Sequence, residues 1–461
     1  MARDITSAAG AYQDDRQAQD PRKLLADAPM SRFQCVAVTI VGLLYTLDGF
    51  DVMAISFAAP ALLREWGISK AELGYVLSAG LFGMAIGSML LSPLADAIGR
   101  RRVLLGALGM IIAGTSWTAF CHDVGTLSAS RLLTGLGIGA MLGVVSPLAA
   151  EYANARRRDF AVTLTSVGYG LGAILGGLLS AWLLSSYGWR SIFYAASGVG
   201  VATMILSAAW MLEPLELIVA RPGRDGLARA NAYLVRCGQR PVEILPPPAN
   251  RGVPLVALFA RSMIKETLAL TALYFCYVIP LFYMQTWTPA LVVEVGLPSS
   301  KAAVIAAAMS VGGVTAGLFI AATSLRIGLK RLEGILLGGA ACLMVLFVLI
   351  PGHFPLLLLG ATITGFFLMG SMVGIWAIIA RTFPAHLRAS GTGFVIGVGR
   401  LGSTLPPVLA GIMFTAGLSR VGVSVLMAAP LLVSLALLAS LRVAPIEVLE
   451  RKPSESASVK N

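Results

Sequence analysis

Long apolar stretches alternate with short polar connections along the chain from Phe33 onward. Twelve can be picked out by inspection, at approximately 33–62, 72–95, 103–121, 126–150, 160–185, 189–212, 262–293, 301–325, 332–351, 354–380, 390–416 and 420–441. Each is close to or above the roughly 20 residues that an α-helix needs to cross a bilayer, and helices satisfy their own backbone hydrogen bonds in lipid. The pattern predicts an all-α polytopic membrane protein with twelve transmembrane helices. Composition agrees, with 57% hydrophobic and only 13% charged residues, against about 25% charged in an ordinary soluble domain.

Residues 1–32 are polar and lack an apolar core, so no cleavable signal peptide is expected. The tail then stays cytoplasmic, and an even number of spans returns the C-terminus to the same side. Lysine and arginine test this orientation. Of 35 such residues, 28 fall in the tails and even-numbered connections, counting Lys265 at the mouth of span seven. Arg64, Lys70, Arg190, Lys301 and Arg420 lie on the other side, and Arg131 and Arg400 fall within spans. The formal charge of +12 is thus placed against anionic lipid head groups, with no need for a nucleic-acid partner. The expected location is the cytoplasmic (inner) membrane, as a monomer. Five cysteines without CxxC spacing and three histidines near span ends give no disulfide framework, metal site or cofactor.

A charged connection over 213–261, with prolines at 246–248, divides the chain. The expected organisation is a tail (1–32), a six-helix bundle (33–212), a cytoplasmic linker (213–261), a second six-helix bundle (262–441) and a tail (442–461). Residues 230–238, ANAYLVRCG, suit a short amphipathic helix on the inner surface. An internal repeat supports the division. At an offset of 229 the turn Gly99-Arg100-Arg101-Arg102 matches Gly328-Leu329-Lys330-Arg331, and Gly168 and Gly170 match Gly397 and Gly399. One residue away in register, Gly135 falls on Gly365. Two like halves predict pseudo-symmetric bundles with a substrate site between them.

Buried charge marks the candidate chemistry. Asp48 and Asp51 lie on one helix face inside span one, where an ionised carboxylate costs several kcal/mol. Gly49 between them leaves room for a ligand or a neighbouring backbone. Arg131, about two turns into span four, has Asp48 or Asp51 as its nearest plausible partner, and protonation would break such a pair. Arg400 sits about 18 Å along span eleven from Arg388, and its planar fork suits a carboxylate. It is open between a bound organic anion and an ion pair with Asp48 or Asp51. Span seven is dense in aromatics, and Pro280 and Pro289 are expected to break it. Tyr283 and Trp287, four apart, with Gln285 nearby, could clamp a flat ring. Trp376 in span ten is a further candidate. At the inner ends, Asp96, Gly99, Arg100 and Arg101 form a candidate gate, and Glu151 is placed to meet Arg156, Arg157 or Arg158.

Ser92 to Arg102, SPLADAIGRRR, resembles the cytoplasmic loop of the major facilitator superfamily, and Arg131-LLTGLGIGA resembles its span-four element. LDGFD at 47–51 and SPLAAEY at 146–152 are most similar to the aromatic acid:proton symporter branch. Ser92 replaces the usual glycine, and Ala97 the usual basic residue. The resemblance implies the fold of that superfamily, a span-four acid at Glu151, and import of a small aromatic carboxylate, of hydroxybenzoate or benzoate type, together with protons. Asp48 and Asp51 would couple protons, with Arg131 tuning them. Arg400, Tyr283, Trp287, Gln285 and Trp376 would bind substrate. The chain is not read as an enzyme, and without GxxxxGK[ST] it is not read as an ATP-driven pump. Competing readings are a proton-coupled carrier of a non-aromatic acid or sugar, a drug antiporter, which the proline-free glycine run of span five disfavours, and a membrane receptor that senses aromatic acids.

Overall fold

Twelve helices long and apolar enough to cross a membrane follow one another in the computed structural model, which describes residues 20–221, 225–246, 255–261, 263–384 and 387–441. They are α1 (Arg32–Trp66), α2 (Lys70–Leu91), α3 (Arg100–Ala119), α4 (Val124–Tyr152), α5 (Ala155–Ser186), α6 (Arg190–Trp210), α7 (Ile264–Glu294), α8 (Ser299–Ser324), α9 (Leu329–Leu349), α10 (Phe354–Thr382), α11 (Ser390–Thr415) and α12 (Arg420–Ser440). No strand occurs among the described residues. Expectations for 1–19, 247–254 and 442–461 lie outside them.

Local chemistry explains where these helices begin. Ser31 and Gln34 form a reciprocal capping box at α1, Ser69 and Glu72 do the same at α2, and the Asp123 side chain caps α4. Glycines at positive φ sit in the turns before α3 and α9, at Gly99 (φ 108°) and Gly328 (φ 85°). These are the residues matched by the repeat.

Proline has less effect than expected. Helix α7 runs unbroken from Ile264 to Glu294 through Pro280 and Pro289, because a proline removes one backbone hydrogen bond and neighbouring groups in a bundle re-satisfy what it frees. The break falls in α11 instead. Its first segment ends at Gly402 and its second begins at Leu405, with Pro406 and Pro407 in the first turn, where a missing N–H is harmless. Ser403 N and Oγ both donate to the carbonyl of Arg400. Span two also ends irregularly, in a π-turn at Gly87–Leu91.

The described residues group into two compact units: one of Met1–Gly252, Gln285–Ala307 and Pro407–Ala416, the other of Val253–Met284, Ala308–Pro406 and Gly417–Asn461. In the first, a Cβ on Gly135 would stand 2.0 Å from the carbonyl oxygen of Gly80, and one on Gly83 2.3 Å from that of Leu132. In the second, a Cβ on Gly365 would stand 2.1 Å from the carbonyl of Met309, and one on Gly312 2.0 Å from that of Thr362. These are repeat-equivalent positions. Each half uses glycine to bring two helix backbones into contact, as small residues do in lipid. Gly49 serves the same end, its Cβ position lying 2.1 Å from the carbonyl of Tyr169 in α5.

Candidate functional site

In the first unit, Asp51 is 1% exposed and Arg131 2% exposed. The Thr115 hydroxyl of α3 donates to Asp51 Oδ1 at 3.0 Å, while Oδ2 is buried without a hydrogen-bond partner. Arg131 reaches the same residue differently from expectation. Its Nη2 donates at 3.2 Å to the backbone carbonyl of Asp51, and no ion pair within 4.0 Å joins the two side chains. The guanidinium carbon also lies 5.8 Å from the centre of the Phe193 ring of α6, a cation–π arrangement that offsets part of the cost of burial. Asp48 is buried beside them on α1. The structure thus gathers an acid, a hydroxyl and a guanidinium from α1, α3 and α4.

The arginine turn and its neighbours form a clasp in the same unit. Arg100 Nη1 meets Glu151 Oε1 at 2.6 Å, both side chains being mostly buried, whereas Asp96 is largely exposed and 3.9 Å from Arg100. Glu151 therefore reaches across to α3 for this ion pair, and Arg156, Arg157 and Arg158 lie exposed. Glu213 was not foreseen. Its carboxylate accepts from the backbone N–H of Arg100 at 2.5 Å and of Arg101 at 3.4 Å, an anion on a helix N-terminus. Gly99 is required there twice over, by its positive φ and because a Cβ would lie 2.8 Å from the Glu213 carboxylate. Arg101 Nη2 donates to the carbonyl of Ala208 at 2.7 Å. Ser92, in place of the family's glycine, sets its hydroxyl 1.6 Å from where a Cβ of Gly143 would be, so a glycine opposite compensates for it.

The amphipathic linker segment is a helix, Gly226–Arg236, but its apolar face lies on protein. Tyr233 packs edge-on to Phe33 at 5.6 Å and stacks on Tyr152 at 6.4 Å. Gln34 Nε2 donates to the carbonyl of Tyr152 at 3.0 Å, and the Tyr152 hydroxyl donates to that of Leu212. At the ends of the spans, Lys70 pairs with Glu294 at 2.9 Å, Arg64 donates to Ser299 Oγ at 2.8 Å, and the Thr415 hydroxyl accepts from Ala71 N. The linking ends of α7, α8 and α11 are thereby fixed to α1 and α2 within this unit.

In the second unit, Arg400 is half-buried and makes no ion pair or side-chain hydrogen bond to another described residue of that unit. Its aromatic neighbour is Tyr274, which lies within electrostatic reach of the guanidinium and beside Trp376. Gly399 makes the approach possible, since a Cβ there would fall 2.1 Å from the Tyr274 ring. The Trp376 indole N–H is buried and faces Tyr274, making no well-formed hydrogen bond to another described residue.

The Tyr283 and Trp287 clamp is not formed. Both rings are essentially inaccessible, with Tyr283 hydrogen-bonded to Ser424 of α12 at 2.8 Å and Trp287 packed at 5.0 Å on Phe414 of α11. A ring enclosed on both faces has none to offer a ligand. Gln285 is buried with its Oε1 unpartnered. At least nine residues, about two and a half helical turns, separate these residues from Tyr274, and their spacing alone does not indicate which turn of α7 meets α11.

The sequence profile of the Major Facilitator Superfamily matches residues 41–352. The chain belongs to the Major Facilitator Superfamily. Its relatives include the gallate transporter of Pseudomonas putida, 30% identical over 405 residues and covering 87% of this chain and 90% of that one. The 4-hydroxybenzoate transporter PcaK of the same organism is 31% identical over 395 residues, covering 84% and 87%, and the benzoate transport protein of Acinetobacter baylyi is 24% identical over 400, covering 84% and 85%. Among solved structures, a bacterial homologue of the human lysosomal transporter Spinster superposes with a TM-score of 0.68 at 15% identity, over 89% of this chain and 97% of that one, a likeness of fold. The protein is thus a multi-pass superfamily transporter with aromatic acid transporters as relatives, and not an enzyme.

Proposed function

We propose that this transporter imports a small aromatic carboxylate, of hydroxybenzoate or benzoate type, together with protons, across the cytoplasmic membrane, with both termini in the cytoplasm. The observation that carries this reading is the guanidinium of Arg400, half-buried in α11, beside Tyr274 and Trp376, with no acid paired to it in its unit. A permanent charge inside a membrane is costly unless paired, and an incoming carboxylate fits its two-pronged donor set. The partly exposed Trp376 supplies aromatic surface where the ring of such an acid would lie, with the buried Tyr274 fixing the wall beside Arg400.

For proton coupling the acid is Asp51. Its Oδ2 can take a proton without breaking a hydrogen bond, because Thr115 holds only Oδ1. Asp48 on the same helix is the companion site, and Arg131 favours the ionised form through its field. The clasp of Arg100, Arg101, Gly99, Glu151 and Glu213, with Asp96 at its edge, holds one arrangement of the inner helix ends. A single anion moves inward against the potential, so the potential itself drives uptake only when more than one proton accompanies it, each contributing about 2.3 kcal/mol per 100 mV.

Uptake of labelled benzoate, succinate and glucose into reconstituted vesicles tests the substrate class. Benzoate alone should accumulate; equal uptake of succinate or glucose would return the function to the non-aromatic carriers, and binding without flux would make the chain a receptor.

A further inference from the structure

We propose that Glu333 of α9 is a proton-carrying site in the C-terminal half, holding its proton while α9 and α10 are packed together and giving it up when they part. The inference rests on the symport reading above and adds a residue to it.

Glu333 is fully buried, 0% exposed, and neither carboxylate oxygen has a hydrogen-bond partner among the described residues. Among the described residues no cation pairs with it. Its own helix carries Lys330, but that ammonium donates to the carbonyls of Ala439 and Leu441 at 2.9 and 2.7 Å. From α7, the titratable neighbour is Tyr277, whose hydroxyl donates to the carbonyl of Leu368 at 2.6 Å. From α10, Ser371 lies beside the carboxyl with its own proton committed to the carbonyl of Phe367. From α12, the Ser434 hydroxyl is bonded to the carbonyls of Leu273 and Pro430. Leu332 and Leu336, packed with Ile320, Phe366 and Phe367, make the surroundings apolar. An anion here meets no cation among the described residues and could gain a donor only by drawing the Ser371 hydroxyl off Phe367, whereas the neutral acid can donate to the oxygen of Ser371.

The packing is built around this carboxyl. A Cβ on Gly374 of α10 would lie 1.8 Å from Glu333 Oε2, so the glycine leaves the space this carboxyl occupies. The fold does not demand the pair, because the repeat-equivalent positions of the N-terminal half are Leu104 and Val144, both buried. An apolar contact fills one half where a carboxyl meets a glycine in the other. On separation of α9 and α10, water reaches the carboxyl and the O–H bond breaks with transfer of the proton to water. The reverse step, uptake from water on one carboxylate oxygen, precedes closure.

Two measurements test this. Dicyclohexylcarbodiimide adds to protonated carboxyls in apolar settings, the acid proton passing to a carbodiimide nitrogen, so peptide mapping of the labelled wild-type protein should find Glu333 modified. Labelling absent at Glu333 would overturn the proposal without any variant. Glu333→Gln keeps the neutral shape, and should retain substrate exchange within about twofold while carrying one proton fewer. Its accumulation ratio would then fall about 50-fold at a driving force of 100 mV, the factor for one elementary charge. An unchanged ratio in Glu333→Gln beside a working wild type would make the acid merely structural. Absence of proton-driven accumulation in the wild type would instead break the symport reading itself.

Discussion

The two halves repeat one another in backbone and differ in charge. The turns before α3 and α9 share a glycine of nearly the same conformation, φ 108° and ψ 139° at Gly99, φ 85° and ψ 131° at Gly328. Their partners are unlike. The N-terminal turn receives the carboxylate of Glu213 and the Arg100–Glu151 ion pair, whereas the C-terminal turn sends Lys330 to two backbone carbonyls. Deeper in the spans the contrast repeats. The N-terminal unit brings Asp51 and Arg131 to one place, while in the C-terminal unit Arg400 pairs with no acid and Glu333 with no base among the described residues. Glycine packing is what the two halves share, and charge is where they differ.

The largest effect expected from breaking this contrast is at Arg400. Arg400→Lys loses the two-pronged donor set, and with charge-assisted hydrogen bonds contributing about 1.5–3 kcal/mol each, benzoate affinity measured by equilibrium binding should fall about 10- to 100-fold. Near-normal affinity would place the substrate elsewhere. Next come the glycines that make the halves alike. Gly135→Ala and Gly365→Ala each drive a methyl into a neighbouring carbonyl and should cost similar amounts, about 1–3 kcal/mol, read as matched losses of thermostability in detergent. Unequal losses would show that the two contacts do not bear equal weight. The smallest effect tests the linker clasp, which the N-terminal unit holds at its α1 and α4 ends. Burial pushes the Cys237 thiol up to about 11, so at neutral pH it should react with a thiolate-specific reagent about 100-fold more slowly than a free cysteine. Tyr233→Ala should restore much of that rate by loosening the packing on Phe33 and Tyr152.

Much of this architecture was legible in the residues. Twelve apolar stretches and the glycine repeat depend on local composition, which the bilayer imposes directly. Individual partners were less legible, because they come from helices distant in the chain. Thr115 beside Asp51, Glu213 on the α3 terminus and Tyr274 beside Arg400 are ordinary residues until packing chooses them. Pro280 and Pro289 misled because a proline within a bundle costs one bond that neighbours can replace, while the break in α11 came where two prolines could open a new helix. Arg131 binds the backbone carbonyl of Asp51, and the carboxylate accepts from Thr115 instead. Tyr283 and Trp287 share a helix turn, and interhelical packing encloses both.

On the proposed function, the buried charges move an aromatic acid and protons together. This is tested most directly by a pH-sensitive dye trapped in vesicles with the membrane potential clamped, followed as 4-hydroxybenzoate is added outside. The lumen should acidify in step with labelled substrate entry, well beyond protein-free vesicles, and Asp51→Asn vesicles should show no such acidification. Substrate entry at wild-type rate with the lumen pH unmoved would contradict the account.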